Sequence, residues 1–398
     1  MPLRRLRLVA STILFFLTFD AFSQNTLSYD RADLNFRNGL EFLEQKNYAA
    51  ARQAFQEYLN THRDLLTGSD LNRVDAEYYV AMSTLYLGDA DAEIQAERFV
   101  SNHVEHPKAA RIYGDLGFYF YNQQQFDRAI PYLTKAADAG NAEARFKLGM
   151  AHYQLQQFDQ ALRAFNVIKQ NNQPETGIPA SYYAGVIQFN AGNYAGAMQD
   201  FRRIETAEQY KNEIPSWIGH ALYRQNRYDD LLTYAEPLLR TPKSGKKLDE
   251  LALLTADVYA QREQFDKAVA NYKLYTSLRG NRMPAASAYR YGYALYRTGD
   301  TNGAVAALKP LAAGKDTLSQ YAAYYLGIAY LNQENLPSAR AALDQARRLN
   351  FNKAVREDAA FNHAKVQLDQ GNGAEAIREL KEFQQTYPQS RYTSGAEE

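Results

Sequence analysis

A small residue set among apolar ones returns at regular intervals along this chain. It stands at Gly39, Ala81, Gly117, Gly149, Gly185, Gly219, Ala256, Gly292, Gly327 and Ala364. Intervals of 32 to 42 residues hold two short helices and their turns, and a period in this range with helical texture marks a stacked helical array. Such an array has no single closed core, because each copy buries its apolar face only against its neighbours. Glycine inside a helix costs about 0.5–1 kcal/mol relative to alanine, so its recurrence requires a close contact at that point.

Each copy repeats the same columns around its anchor. In the copy at Gly149, a first helix runs to about Leu155, a short polar turn follows, and a second helix starts near Asp159. Nine residues after the anchor comes an aromatic that closes the turn, as in Tyr48, Phe126, Phe158, Tyr194, Tyr228 and Phe265. Asp127, Asp159, Asp229 and Asp266 follow it, where a carboxylate suits the free N–H groups of a starting helix. Twelve after the anchor is a second small residue (Ala51, Ala129, Ala161, Ala197, Ala268, Ala304, Ala339, Ala376), with Leu231 as the exception. Sixteen after it is a large apolar one, as in Phe55, Leu133, Phe165, Phe201, Tyr272, Leu308, Leu343 and Leu380. These large residues share one helix face and are expected to bury against the next copy.

This small–aromatic–small–large series resembles the tetratricopeptide repeat family over roughly residues 30 to 388, down to the closing proline at Pro388. The resemblance implies an all-α fold, a right-handed α-solenoid of about ten helix-turn-helix repeats. The second copy is degenerate, with Glu93 and Glu97 at apolar positions, and Ala92 restores its frame only if the turn is one residue shorter. The stretch Ala136 to Ala144 looks like the Sel-one-like variant of the repeat. Pro174, Pro179, Pro215, Pro242 and Pro284 fall between copies and mark helix boundaries. Residues 61–73 read as an exposed loop, and residues 389–398 as a tail or the start of a further repeat.

The first 23 residues read as a secretory signal peptide. Arg4, Arg5 and Arg7 precede an apolar run from Leu8 to Phe19, and Ala21-Phe22-Ser23 places small residues where a signal peptidase cuts. That run is 12 residues, shorter than the roughly 20 a membrane-spanning helix needs. The repeat array then occupies residues 24–388, with no further segment apolar enough to span. The expected location is the periplasm of a bacterial envelope, in association with the outer membrane.

Composition narrows the partners. Without the leader, 42 Lys and Arg face 44 Asp and Glu, so nucleic acid is not expected as a partner. The short basic run Lys243-Ser-Gly-Lys246-Lys247 reads as a solvated loop. The chain has no cysteine, which removes disulfides and thiolate chemistry. His103 and His106 lie three apart but lack a third ligand for a metal. No phosphate-binding glycine loop or nucleophile elbow is found, so neither catalysis nor a cofactor is expected.

The family resemblance places ligands in a concave groove lined by the first helices. Candidates for partner contact there are Tyr121, Phe146, Tyr153, Tyr182, Phe189, Asn190, Tyr223, Arg224, Tyr289, Tyr293, Tyr296, Arg297 and Tyr324. The chain carries 31 Tyr against 20 Phe and 1 Trp, and a phenol suits a wet surface that must also bind. Packing alone would not prefer Tyr over Phe. His220, Asp257 and Lys365 stand one after their anchors as isolated polar residues, without the lysines that would make the family's carboxylate clamp. The function this supports is a non-enzymatic scaffold for envelope proteins or extended peptides. Binding of peptidoglycan or another polysaccharide is the alternative.

Overall fold

Every first helix ends in the same way, and that ending sets the geometry of each pair. Seven residues after each anchor the backbone turns left-handed, at Lys46, Gly88, Gln124, Gln156, Gly192, Asn226, Glu263, Gly299, Glu334 and Gly371, with φ between 56° and 83°. The next N–H reaches back to a carbonyl five residues earlier, as in Asn47 to Phe42, Gln125 to Phe120, Asn193 to Gln188 and Gln264 to Tyr259. This ties off carbonyls that the helix end would leave unpaired. Asn47, Asn193, Asp300 and Asn335 then accept the N–H three residues on and start the second helix.

The computed structural model describes residues 31–61, 71–171, 173–240, 248–280 and 282–393. The leader, Lys243 to Lys247, most of the 61–73 stretch and the second half of the 389–398 stretch lie outside them. Twenty helices form ten successive pairs among the described residues. The first helices are α1 (Arg31–Glu44), α3 (Leu71–Leu87), α5 (Pro107–Asn122), α7 (Ala142–Gln154), α9 (Gly177–Asn190), α11 (Ile214–Arg224), α13 (Asp249–Gln261), α15 (Ala285–Arg297), α17 (Thr317–Asn332) and α19 (Lys353–Asp369). Their partners are α2 (Tyr48–Thr61), α4 (Ala92–Asn102), α6 (Phe126–Asp138), α8 (Phe158–Ile168), α10 (Tyr194–Arg203), α12 (Tyr228–Arg240), α14 (Phe265–Arg279), α16 (Thr301–Ala312), α18 (Leu336–Arg348) and α20 (Gly373–Thr386). The architecture is an α-solenoid of helix-turn-helix repeats. The chain divides into two compact units, residues 1–155 and 156–398, so α7 closes the first unit and α8 opens the second.

The small anchor exists for the large residue sixteen positions on. A Cβ added at Gly39 would stand 2.7 Å from the Phe55 ring, at Gly117 2.7 Å from Leu133, and at Gly185 2.6 Å from Phe201. Gly292 against Leu308 and Gly327 against Leu343 repeat the relation at 2.7 Å. Three of the large residues are also covered by the following copy, where Tyr79 stacks on Phe55 at 5.0 Å, Tyr183 on Phe165 at 6.0 Å and Trp217 on Phe201 at 5.5 Å. Phe55, Phe165 and Phe201 are fully buried, each contributing about 1.5–3 kcal/mol.

Two copies depart from the columns. In the second, Ala92, Ala96 and Phe99 are buried while Glu97 is exposed, so the shorter turn does restore the frame. Only three residues separate Gly88 from Ala92, where other copies have four, and the pair folds like the rest. In the sixth, large and small exchange places, with Leu231 and Ala235 both fully buried. Ala235 cannot fill the space beside Gly219, and Leu251 of α13 fills it instead, 2.5 Å from an added Cβ.

Proline obeys the helix-start rule at Pro215, in the first turn of α11, and at Pro284, the cap of α15. Pro131, Pro237 and Pro310 lie inside α6, α12 and α16, which the sequence reading did not foresee. After α20 the chain lies across α19, with Tyr392 stacked on Phe361 at 4.3 Å and Arg391 paired with Asp358 at 2.9 Å. Tyr210 stacks on Tyr182 in the same manner at 4.6 Å.

Candidate functional site

Four residues of α11, Ser216, Trp217, His220 and Arg224, recur at helical spacing and so share one face. They line a cavity of about 690 Å³ within the second unit, closed by Phe189 of α9, Asp249 and Glu250 of α13, and Arg279 at the end of α14. A neighbouring cavity of about 770 Å³ shares His220, Glu250 and Arg279 and continues to Tyr275, Arg282 and Met283. Trp217 is held on Phe201 and edge-on to Phe189 at 5.1 Å.

Glu250 is the hub of this groove. It accepts from Ser216 Oγ at 2.9 Å, from His220 Nε2 at 3.0 Å and from Arg279 at 3.2 Å. Burial opposes its charge, yet these three donors hold the carboxyl below the usual carboxylate range. Arg279 also bonds Asp249 at 3.0 Å. His220, isolated in the sequence, therefore belongs to a network drawn from three helices. Asp257 does likewise, accepting from Tyr272 at 2.6 Å and Ser287 at 2.9 Å with Arg290 beside it. It is buried structure, not groove lining.

A second cluster forms where α15 meets α17. Tyr293 lies 4.7 Å from Tyr325 and 6.4 Å from Tyr296, while Tyr289 lies within 6.4 Å of Tyr293, Tyr321 and Tyr325. Tyr324 abuts Tyr325 at 5.1 Å. Arg297 lies over Phe265 at 4.5 Å and donates to the Tyr293 hydroxyl at 2.8 Å. Burial, followed by the Asp358 charge, pushes the Tyr324 phenol up to about 12, so it remains a donor at neutral pH.

The candidate residues thus separate. Tyr121, Phe146 and Tyr153 belong to the first unit and are half-buried, with Tyr121 against Phe126 at 5.5 Å and under the Lys147 ammonium at 4.9 Å. Phe189 meets Tyr194 at 5.2 Å and Tyr223 meets Tyr228 at 5.6 Å, so the aromatic that closes the turn packs on the ring four after the anchor. Asn190, Arg224 and Arg297 are exposed at the ends of their helices. Tyr289, Tyr293, Tyr296 and Tyr324 come together in the second cluster. Tyr182 is engaged by Tyr210 and by Glu213, to which it donates at 3.1 Å.

That last bond corrects the argument from tyrosine abundance. Phenols at Tyr78, Tyr132, Tyr182, Tyr234, Tyr259 and Tyr272 each donate to an Asp or Glu, in most cases from a neighbouring pair. Packing alone does prefer Tyr to Phe where a carboxylate stands within reach. The sequence reading passed over Trp217 and Tyr325, although the column two before the anchor (Tyr79, Tyr183, Trp217, Tyr325) carries a signal. Glu250 and Arg279 leave none, since their partners Ser216 and His220 come from the preceding copy. His103 bonds Glu77 at 2.6 Å and His106 caps α5, and among the described residues no three His, Asp or Glu gather as a metal site.

The tetratricopeptide repeat sequence profile matches residues 115–176, 146–211 and 324–391, each within the ten helix pairs. Residues 115–211 and 324–391 thus carry tetratricopeptide repeats. No curated protein matches the sequence. Among solved structures, a chain of Naa15/Naa10 bound to HypK-THB is similar at 14% identity and a TM-score of 0.44, covering 92% of this chain. This chain spans 65% of that chain's length. A tetratricopeptide repeat protein from Parabacteroides merdae is similar at 12% identity and a TM-score of 0.36, covering 66% of this chain and 98% of the other. PilF of Pseudomonas aeruginosa is similar at 17% identity and 0.34, covering 58% and 97%. Tetratricopeptide arrays serve as scaffolds for protein–protein interaction. Among the described residues no helix is long and apolar enough to cross a membrane.

Proposed function

We propose that this chain is a non-enzymatic scaffold of the bacterial periplasm, docking envelope proteins on the first-helix face of its second unit. The groove from Phe189 and Trp217 to Met283 carries the reading. It combines fixed aromatic plates with guanidinium groups, and Arg224 and Arg282 have no carboxylate partner among the described residues. Rigid aromatics and Arg are the residue types that dominate protein interfaces. Export rests on the leader at residues 1–23.

Photo-crosslinking residues placed in living cells at the exposed positions Asn190, Arg224 and Arg297, with Gln160 on α8 as control, test the docking face. The expected result is a discrete protein adduct at the three sites and none at Gln160. Adducts only at Gln160 would move the interaction to the second helices. Heterogeneous glycan-bearing adducts at the three sites would favour the polysaccharide alternative. A chain that keeps its leader and stays in the cytoplasm on fractionation would remove the periplasmic location.

A further inference from the structure

The first and last helix pairs each leave open a contact that the interior pairs make. Where two copies meet, the residue five before the later anchor packs on the earlier pair, as Leu251 does beside Gly219. The nine residues of that column from Ala76 to Ala359 are at most 4% exposed, whereas Leu34 of α1 is 50% exposed. In the last pair the opposite side is open. The residue sixteen after the anchor is fully buried at Phe55, Leu133, Phe165, Phe201, Leu308 and Leu343, while Leu380 is only half-buried. Leu368 and Ile377 beside it are each 55% exposed. In the fifth copy the same two columns are met by the copy that follows, Phe189 by Trp217 at 5.1 Å and Met198 by Gln225 at 3.4 Å. The tail leaves this face free. Tyr392 lies on Phe361 as Tyr210 lies on Tyr182, and there α11 still packs on the preceding pair.

Charge narrows the occupant. In the sixth copy the residue after the anchor, His220, bonds Glu250, and Glu250 directly precedes Leu251. In the last copy that position is Lys365, which is exposed and forms no ion pair among the described residues. The sequence of α1 carries the same acidic–apolar doublet in the same two columns, Asp33-Leu34 for Glu250-Leu251. We infer that α1 of a second copy of this chain docks on the α19–α20 face and extends the array head to tail. Leu34 of that copy enters among Leu368, Ile377 and Leu380, and the register brings Asp33 opposite Lys365. An extended peptide points successive side chains to opposite sides, so an adjacent acidic and apolar residue would not both reach this face. On a helix they do, as Glu250 and Leu251 show against α11. The contact joins two different surfaces, so copies add in line, lengthening with concentration unless a ring closes.

Sedimentation velocity of the full-length mature chain, from micromolar to submillimolar concentration, tests it. Oligomers that lengthen with concentration are expected. Leu34→Asp and Ile377→Asp, both at exposed positions, should each leave a folded monomer. An equimolar mixture of the two should give a dimer and nothing longer, because it keeps one intact face of each kind. Lys365→Glu should weaken association about tenfold, and Asp33→Lys in the same chain should restore it. A wild-type monomer at every concentration would overturn the inference. A dimer lost in Ile377→Asp but kept in Leu34→Asp would also overturn it, since two α19–α20 faces would then be meeting each other. Assembly that the charge reversal weakens and Asp33→Lys fails to restore would remove α1 as the occupant.

Discussion

The Tyr272 hydroxyl donates to the Asp257 carboxylate at 2.6 Å, and both are buried where α13, α14 and α15 meet. Asp257 also accepts from Ser287 at 2.9 Å and lies 3.2 Å from Arg290, so one carboxylate ties two successive repeats together. Burial, then the Asp257 charge, pushes the Tyr272 phenol well above its ordinary range, which keeps it a donor throughout the physiological range. Tyr272→Phe should keep the fold and lower stability by about 1–3 kcal/mol, the cost of a buried acceptor losing a donor. Urea unfolding of the two proteins measures this. Equal midpoints would show that Asp257 is satisfied without Tyr272.

The left-handed residue after each first helix yields a paired test. Gly192 has φ 80° and nothing within 4 Å of an added Cβ, so Gly192→Ala probes backbone conformation alone. It should cost about 1 kcal/mol. Glu263 stands at the equivalent turn with φ 57°, and Glu263→Gly should gain up to about 1 kcal/mol by relieving the same strain. Thermal melts of both variants would expose an error if the signs came out reversed.

Gly185 sits 2.6 Å, measured from an added Cβ, from the buried Phe201 ring. Gly185→Leu overfills that contact and should cost at least 1–3 kcal/mol. Because repeats couple only to their neighbours, the two flanks of the lesion should then melt separately. Calorimetry of the variant is expected to show two transitions, and a single unchanged peak would mean that Phe201 has somewhere else to go.

His363 and Glu379 lie 2.7 Å apart, with side chains 4% and 7% exposed. Burial outweighs the neighbouring carboxylate, and Arg347 adds to it, so the imidazole is held below its ordinary 6.5. The unfolded chain therefore binds a proton that the folded chain resists, and stability should fall as pH drops from about 6.5 through the folded value. Unfolding midpoints measured between pH 7.5 and 5 check this. His363→Gln should flatten the slope in that window. A wild-type protein that grows more stable on acidification would show that Glu379 holds the imidazolium after all.

Much of this fold was legible in the columns. Nine second helices begin nine residues after the anchor, and the nine residues twelve after it, outside the second copy, are all fully buried. These relations are local and repeat in nine of the ten copies, so nine observations reinforce one pattern. Copy two escaped only because one residue is missing between its turn and its small position.

The sequence by itself determined the helix pairs, the turn that joins them, and the small residue that admits a large one. Each depends on near neighbours along the chain and on a fixed number of residues per turn. The tertiary structure alone decided what each polar group does. Glu213, Glu205 and Glu236 stand outside the repeating columns, yet they engage the Tyr182, Tyr234 and Tyr259 hydroxyls. Leu251 of the following pair fills the space beside Gly219, and Glu250 gathers Ser216 and His220 from α11 and Arg279 from α14. A hydrogen bond requires its two atoms within about 3 Å, and that meeting is fixed by how one helix pair settles on the next, which no periodicity encodes.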